Sequence, residues 1–558
     1  MKRKMRVASI IMSGTILTSA LTGCGGTQES AATPKYEPAS DTTSTYDYYE
    51  EETACADDAS CEAPLAGTTY SSKNANLTEG NNIFEGEYNT ESYDKPEENG
   101  YNLVLRKPLS TFAADVDTAS YSNVRRMIED GYTLSQINPD AVRPEEFINY
   151  FNYELNNPEG NDKFGITTEL STCPWNEEHE LMFVGMKTKD IDLREAPESN
   201  LVFLIDVSGS MSDDDKLPLL QKSFDHLVGS LPDKGKISIV TYSGEEKIVL
   251  SGESMENKKR IMAAIDSLEA GGCTNGEAGI QMAYKVAKKN YIEGGINRII
   301  LATDGDLNVG ISNANELERF ITKKKDEGIF LSVLGFGEGN LKDDNLERLA
   351  DCGNGNYSYI DSLFEGKKVL VDEMGSTLVT VAKDVKLQVE FNPEKVNSYR
   401  LIGYENRIMR DQDFNDDTKD GGEIGAGHSV VALYEIVPEG SQSAIALKYQ
   451  DDKTSEDKNE GSQYSSEYAT VSVRYKEPDA DKSQLFSIVV DENSFHENGS
   501  ENIRFAGLVA EFAMLLSDSE YKGNATFTDI MDGYKQIENT DEYKDEFGQL
   551  VRLMAKRS

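Results

Sequence analysis

Between residues 199 and 383 short apolar runs alternate with helical patterns. LVFLIDVS, KISIVTYS, RIILATDG and FLSVLGFG are β-rich runs. KLPLLQKSFDHLVGSL, NKKRIMAAIDSLEA, GEAGIQMAYKVAKKNY and NELERFITKKKDEG lie between them. In the third of these, Ile280, Ala283, Tyr284 and Ala287 follow the i, i+3, i+4, i+7 spacing of one buried helix face. Strands that are apolar throughout are covered on both sides, and parallel strands need helical crossovers. The pattern predicts a doubly wound α/β unit over 199–383 with a mainly parallel sheet and helices on both faces. A last helix near 364–383 is expected to run directly into VKLQVEF.

The flanks have a different period. Before the α/β unit, in 101–198, SYSNVRRMIED and RPEEFINYF read as helices, and ITTEL and ELMFVGMKT as strands. After it, Val385, Leu387, Val389 and Phe391 alternate with polar residues, and SVVALYEIV, AIALKYQ and ATVSVRY also read as strands. This period of two predicts a half-buried antiparallel sheet over 384–480, with SEDKNEGSQ as a polar loop. Because strands precede and follow the α/β unit, the simplest architecture inserts that unit into a β-rich domain built from both flanks. The end, 481–558, is helical, and the stripe Tyr543, Phe547, Leu550, Val551, Met554 is expected to be core.

The chain has 558 residues, enough for about three or four domains. Its charge is 56 − 99 = −43, which excludes nucleic acid as a partner, because phosphate binding needs a basic surface. Residues 25–100 are acidic, rich in Ser, Thr, Asn and Tyr, and poor in periodic apolar positions. They cannot bury enough apolar surface to offset their ordering entropy, so 24–100 is expected to be a tether. Ahead of it, Lys2, Arg3, Lys4 and Arg6 precede the apolar run VASIIMSGTILTSAL, which is short for crossing a ~30 Å hydrocarbon core but suits a signal segment over 1–23. The run ends in LTGC, which resembles the lipobox of bacterial lipoproteins. That resemblance implies lipid attachment at Cys24, a membrane anchor and an extracytoplasmic location. Of the remaining Cys55, Cys61, Cys173, Cys273 and Cys352 at least one is unpaired; Cys55 and Cys61 are close enough to bridge or to remain free thiols.

Parallel α/β sheets collect ligands where loops leave the carboxyl ends of the strands. Asp206, Ser208 and Ser210 in LIDVSGSMSD follow one strand, Asp304 in ATDGD follows another, and Thr274 lies in the glycine-bearing loop GGCTNGEAGI. Two carboxylates and three hydroxyls make an all-oxygen set suited to a hard divalent cation. Read separately, Asp206 and Ser208 are also helix-capping residues and Asp304 a turn residue. Taken together, D-x-S-x-S, a threonine some seventy residues on, and T-D-G resemble the metal-ion-dependent adhesion site of von Willebrand factor type A domains. The resemblance implies that Asp206, Ser208, Ser210, Thr274 and Asp304 hold Mg²⁺, with Mn²⁺ or Ca²⁺ as alternatives. It also implies that one coordination position is left to an acidic residue of a protein ligand. DVDTASYSNVRR, INRIILATDGDLNVG, AKDVKLQVEFNP, RLIGYENR and GEIGAGHSVVALYE resemble a family of bacterial type A lipoproteins with flanking domains of its own.

Other signals are weaker. DVDTAS departs from the D-x-D-x-[TV] phosphatase pattern at Ala119 and is read as structural; Asp213, Asp214 and Asp215 are read as solvated; and Cys273 is read as a small buried residue. No G-x-S-x-G elbow or phosphate-binding loop is present. The expected function is a lipid-anchored envelope module that captures a protein ligand through a divalent cation. The competing readings are a metal-dependent envelope hydrolase, for which no general base is evident, and a scaffold whose loops the ion merely stiffens.

Overall fold

The structure, a computed structural model, describes residues 91–94, 97–114, 117–305, 314–441, 464–478 and 480–557. All belong to the compact unit Phe84–Ser558; the other unit, Met1–Ile83, contains Cys24, Cys55 and Cys61 and lies outside the described residues, as do AIALKYQ and SEDKNEGSQ. The chain begins with β1 (Asn102–Leu103), β2 (Leu109–Ala113), α1 (Ala119–Glu129), α2 (Pro144–Asn149), β3 (Phe164–Thr172) and β4 (Glu180–Thr188). The α/β unit follows: β5 (Ser199–Asp206), α3 (Leu217–Ser230), β6 (Lys236–Tyr242), β7 (Glu246–Ser254), α4 (Lys258–Asp266), α5 (Gly276–Lys289), β8 (Ile296–Thr303), α6 (Ala314–Asp326), β9 (Phe330–Phe336), α7 (Asp343–Cys352), β10 (Tyr357–Ile360), α8 (Leu363–Lys367) and α9 (Met374–Leu378). Then come β11 (Thr380–Phe391), β12 (Val396–Ile402), β13 (Gly422–Gly425), β14 (Ser429–Pro438), β15 (Glu467–Lys476), β16 (Gln484–Asp491), α10 (Glu501–Leu516), α11 (Phe527–Tyr534) and α12 (Glu542–Arg557).

The α/β sheet has the order β10-β9-β8-β5-β6-β7, parallel except for β7. Its central strand β5 is buried at all eight residues. Leu201, Phe203 and Ile205 point into one cluster with α3 and α4, while Val202 and Leu204 point into another with α5, α6 and α7. That two-sided burial is the reason its sequence shows no polar alternation. Ile280, Ala283, Tyr284 and Ala287 are buried together on the α5 face, as their spacing predicts.

Two antiparallel sheets flank this unit. One has the order β1-β12-β14-β4-β3; in the other, β13-β11-β15-β16 run in order and β2 also pairs with β11. Strands from before and after the α/β unit are direct neighbours, with Phe183 of β4 opposite Leu433 of β14. The α/β unit is therefore an insertion. The expectation of half-buried strands needs correction at β14, which is buried through nearly its whole length. Val430, Ala432, Tyr434 and Ile436 face the second sheet, while Val431 and Leu433 face a layer of helices. That layer combines α1 and α2 with α10, α11 and α12, and the stripe Tyr543, Phe547, Leu550, Val551, Met554 lies in it as core.

Two further expectations differ from the structure. Glu91 pairs with Arg126, and Ser92 hydrogen-bonds Leu341 and Asp344, so the packed chain starts ahead of Tyr101. The helix expected over 364–383 is divided into α8, a π-helical turn Lys368–Asp372 and α9, and it ends at Leu378. Residues 380–382 instead pair with β13: a tertiary ladder takes backbone groups that would otherwise extend the helix. Among the described residues no helix is long and apolar enough to cross a membrane.

Candidate metal centre

The site is assembled by backbone ties between strand ends. After β5, the Val207 N–H donates to the Tyr242 carbonyl of β6 at 3.0 Å. From the loop before α5, the Gly271 N–H donates to the Val207 carbonyl at 2.7 Å, and the Gly209 N–H donates back to Gly272 O at 3.0 Å. These bonds fix two of the three candidate loops against one another. The third leaves the neighbouring strand β8, paired to β5 in register up to Ile205 and Ala302.

Asp206 and Asp304 are both 0% exposed. Asp206 accepts the Ser208 N–H at 2.8 Å on one carboxylate oxygen and the Thr303 hydroxyl at 3.3 Å on the other. The Ser208 and Ser210 hydroxyls are 3.0 Å apart, the first buried and the second exposed. Among the described residues, the Asn340 amide at 3.1 Å and the Lys216 ammonium at 3.3 Å donate to Asp304 Oδ2. Burial pushes the Asp206 carboxyl up to about 6; the Asp304 charge adds to the shift, and the Ser208 hydrogen bonds oppose it.

The structure thus links Asp206 to both serines and to the strand end that carries Asp304. Thr274 is half-buried in the loop tied to Val207 and Gly209, two residues past Gly272, and among the described residues its hydroxyl makes no hydrogen bond with the other four. Ser208 precedes a single 3₁₀ turn, Gly209–Ser212, and its side chain makes no cap bond there, so hydroxyl capping does not account for it. Asp213 and Asp214 are exposed as expected, whereas Asp215 is half-buried. Cys273 is also exposed, contrary to the expectation of a small buried residue: its loop crosses the sheet edge instead of entering the core. Asp117 of DVDTAS has a structural role, accepting the Tyr357 N–H at 2.8 Å and Arg407 at 3.3 Å. Sequence reasoning missed Lys216 and Asn340. The first lies at the start of an ordinary helix and the second in a loop after β9, and neither has a spacing that marks it.

The donor set fits a hard cation. Two buried carboxylates at one strand edge draw positive charge; Lys216 supplies it to Asp304, while among the described residues Asp206 is ion-paired to none. Hydroxyls at one rim provide neutral oxygen donors beside that charge, and no soft ligand is required. Asp206, Ser208, Ser210, Thr274 and Asp304 are the residues that would hold such an ion, directly or through water.

The sheet order, with carboxylates and hydroxyls at its carboxyl edge, is that of a von Willebrand factor type A domain, a class of protein-interaction module. The family model described as "von Willebrand factor type A domain" matches residues 200–373, "von Willebrand factor" matches 87–183, and "Uncharacterized protein YfbK, C-terminal" matches 376–556. YfbK of Escherichia coli (strain K12) is 43% identical over 474 residues, 83% of this chain and 81% of that protein; the chain belongs to the YfbK family of bacterial type A proteins. Protein sll0103 of Synechocystis is 29% identical over 190 residues, 34% of this chain and 44% of its own. Inter-alpha-trypsin inhibitor heavy chain H4 of Sus scrofa is 30% identical over 147 residues, 25% of this chain and 16% of its own. The domain class is that of protein-interaction modules. Among solved structures, the von Willebrand factor type A protein from Catenulispora acidiphila is 16% identical, covering 72% of this chain and 91% of its own at a TM-score of 0.38. The ArnB paralog VWA2 from Sulfolobus acidocaldarius is 15% identical, covering 71% and 98% at 0.34.

Proposed function

We propose that the chain is a lipid-anchored module of the cell envelope that captures a protein ligand through a divalent cation held by Asp206, Ser208, Ser210, Thr274 and Asp304. The observation that carries the reading is the burial of Asp206 and Asp304 at one strand edge beside the paired serine hydroxyls. A cation there offsets the buried Asp206 charge and offers an acidic chain a means of attracting an acidic residue on a partner, which its own charge of −43 would otherwise repel. Mg²⁺ is the proposed ion, with Mn²⁺ or Ca²⁺ as substitutes. The resident residues orient it, and its open position takes the ligand carboxylate. Anchoring at Cys24 and an extracytoplasmic location rest on LTGC and the apolar run before it.

The test is capture of envelope protein by the chain with and without chelator, alongside Asp304→Ala. Capture that disappears under both conditions, while circular dichroism shows the fold intact, supports the reading. Capture that persists in chelator and in the variant refutes it. Lipid attachment is checked separately by mass spectrometry of the mature amino terminus, and a non-acylated Cys24 refutes that part.

A further inference from the structure

Lys216 is the one buried ammonium among the described residues that is ion-paired to a candidate ligand. It is 5% exposed at the start of α3, and its Nζ lies 3.3 Å from Asp304 Oδ2. Its other carboxylate neighbour, Asp213 at 3.9 Å, is largely exposed, so the partner that compensates its burial is Asp304. The stem is guided by backbone. Gly337, in the loop after β9, has φ +73°, and a Cβ there would come within 2.2 Å of the Lys216 Cε and 2.5 Å of its Cγ. The methylenes therefore lie on bare chain at Gly337, and the head reaches from α3 across to the end of β8. Asn340, from the same loop, donates to the same Asp304 oxygen.

We propose that Lys216 is a tethered counter-cation of the metal centre: its ammonium neutralises Asp304 while no divalent ion is present and opposes that ion when it arrives, so that it sets the site's affinity. This deepens the cation-site reading and rests on it. Two effects follow from the one charge, and they have the same sign. With the ammonium in place part of the Asp304 charge is offset, which weakens the empty site's attraction for a cation. A divalent ion that Asp206 and Asp304 would hold would also be repelled by this ammonium, which is buried where screening by water is small. Lysine at this position therefore loosens the site's hold on its ion.

The experiment is calorimetric titration of the full chain, freed of metal, with Mg²⁺ and separately with Mn²⁺. Lys216→Met keeps the stem against Gly337 and removes the charge. Lys216→Arg keeps the charge. Lys216→Gln is the second neutral variant and can still donate a hydrogen bond to Asp304. Asp206→Ala marks which binding belongs to this site. Circular dichroism and urea midpoints report folding, and a neutral variant that does not fold is replaced by the other. The expected result is a Kd about tenfold or more lower in K216M and K216Q, with K216R within about threefold of wild type. Binding by the neutral variants where wild type binds too weakly to measure supports the proposal equally. Neutral variants that bind as wild type does, or more weakly, overturn it and make Lys216 a purely structural ion pair, while wild-type binding lost in Asp206→Ala keeps the cation site. If neither wild type nor any Lys216 variant binds either ion, the cation-site reading fails and this proposal fails with it.

Discussion

Replacing Asp206 by Asn removes a buried charge and leaves the shape of the side chain. Asn keeps a carbonyl oxygen for the Ser208 N–H. In the folded chain the Asp206 carboxyl titrates at about 6 rather than 3.8, with burial as the main cause and the Asp304 charge adding to it. The folded state therefore holds this proton more tightly than the unfolded state. Below pH 3.8 both states are protonated and no stability is lost. As the pH rises towards about 6 the folded state is left with more protons than the unfolded one, and stability falls until Asp206 is ionised in both. About two units at 1.36 kcal/mol each make the ionised carboxylate about 3 kcal/mol destabilising in the metal-free protein above pH 6. Asn does not ionise. In chelator at pH 8, Asp206→Asn is expected to exceed wild type by up to about 3 kcal/mol, with the two converging as the pH falls towards 4. The assay is urea unfolding followed by circular dichroism at several pH values, read as the difference in midpoint at constant slope. With Mg²⁺ at about a hundred times its Kd, wild type should gain about 2.7 kcal/mol and the variant nothing, closing or reversing the order. An Asn variant less stable than wild type in chelator at pH 8, or a difference that does not shrink towards pH 4, refutes the argument that the uncompensated Asp206 charge strains the empty site.

Other positions test the frame that holds the site. Glu435 is 1% exposed between His179 at 2.6 Å and Arg400 at 2.9 Å, and these partners outweigh burial to hold its carboxyl at about 2. Glu435→Gln leaves the Arg400 guanidinium only the partly exposed Glu98 at 3.3 Å, and denaturant unfolding at pH 7 should show a loss of about 3 kcal/mol. Because the folded value lies below the ordinary 4.5, the stabilisation from Glu435 is present above 4.5 and lost as the pH falls towards about 2, so this variant and wild type should converge in acid. Phe547 is fully buried with the rings of Phe151, Phe505 and Phe512 at 5.6, 5.5 and 5.4 Å. Phe547→Ala should cost about 3–5 kcal/mol by the same measurement; a loss under about 1 kcal/mol would mean that α12 is not integral to the helical layer.

The parts of the site legible in the sequence are those set by local pattern. Asp206 and Asp304 end apolar runs that can only be buried strands, so their place at the carboxyl edge follows from strand–helix alternation. Ser208 and Ser210 are bound to Asp206 by spacing. Cys273 shows where that reasoning stops. Its residue type favours burial, but the loop that carries it is tied to Val207 and Gly209 at the rim and leaves the thiol in solvent. The α8–α9 segment shows the same: its local pattern extends a helix, and the ladder with β13 ends it at Leu378.

By itself the sequence determined the α/β unit, its insertion between strand-forming flanks and the acidic and hydroxylic residues at its rim, because periodicity and strand ends are properties of a few neighbouring residues. Only the tertiary structure decided that α1 and α2 share a layer with α10–α12, that β14 is covered on both faces, and that Lys216 and Asn340 meet on one oxygen of Asp304. Those contacts join residues from 36 to 88 positions apart at the site, and more than 350 apart in the helical layer. Pairings at such separations leave no period in the chain; they exist only once the sheets and helices have packed.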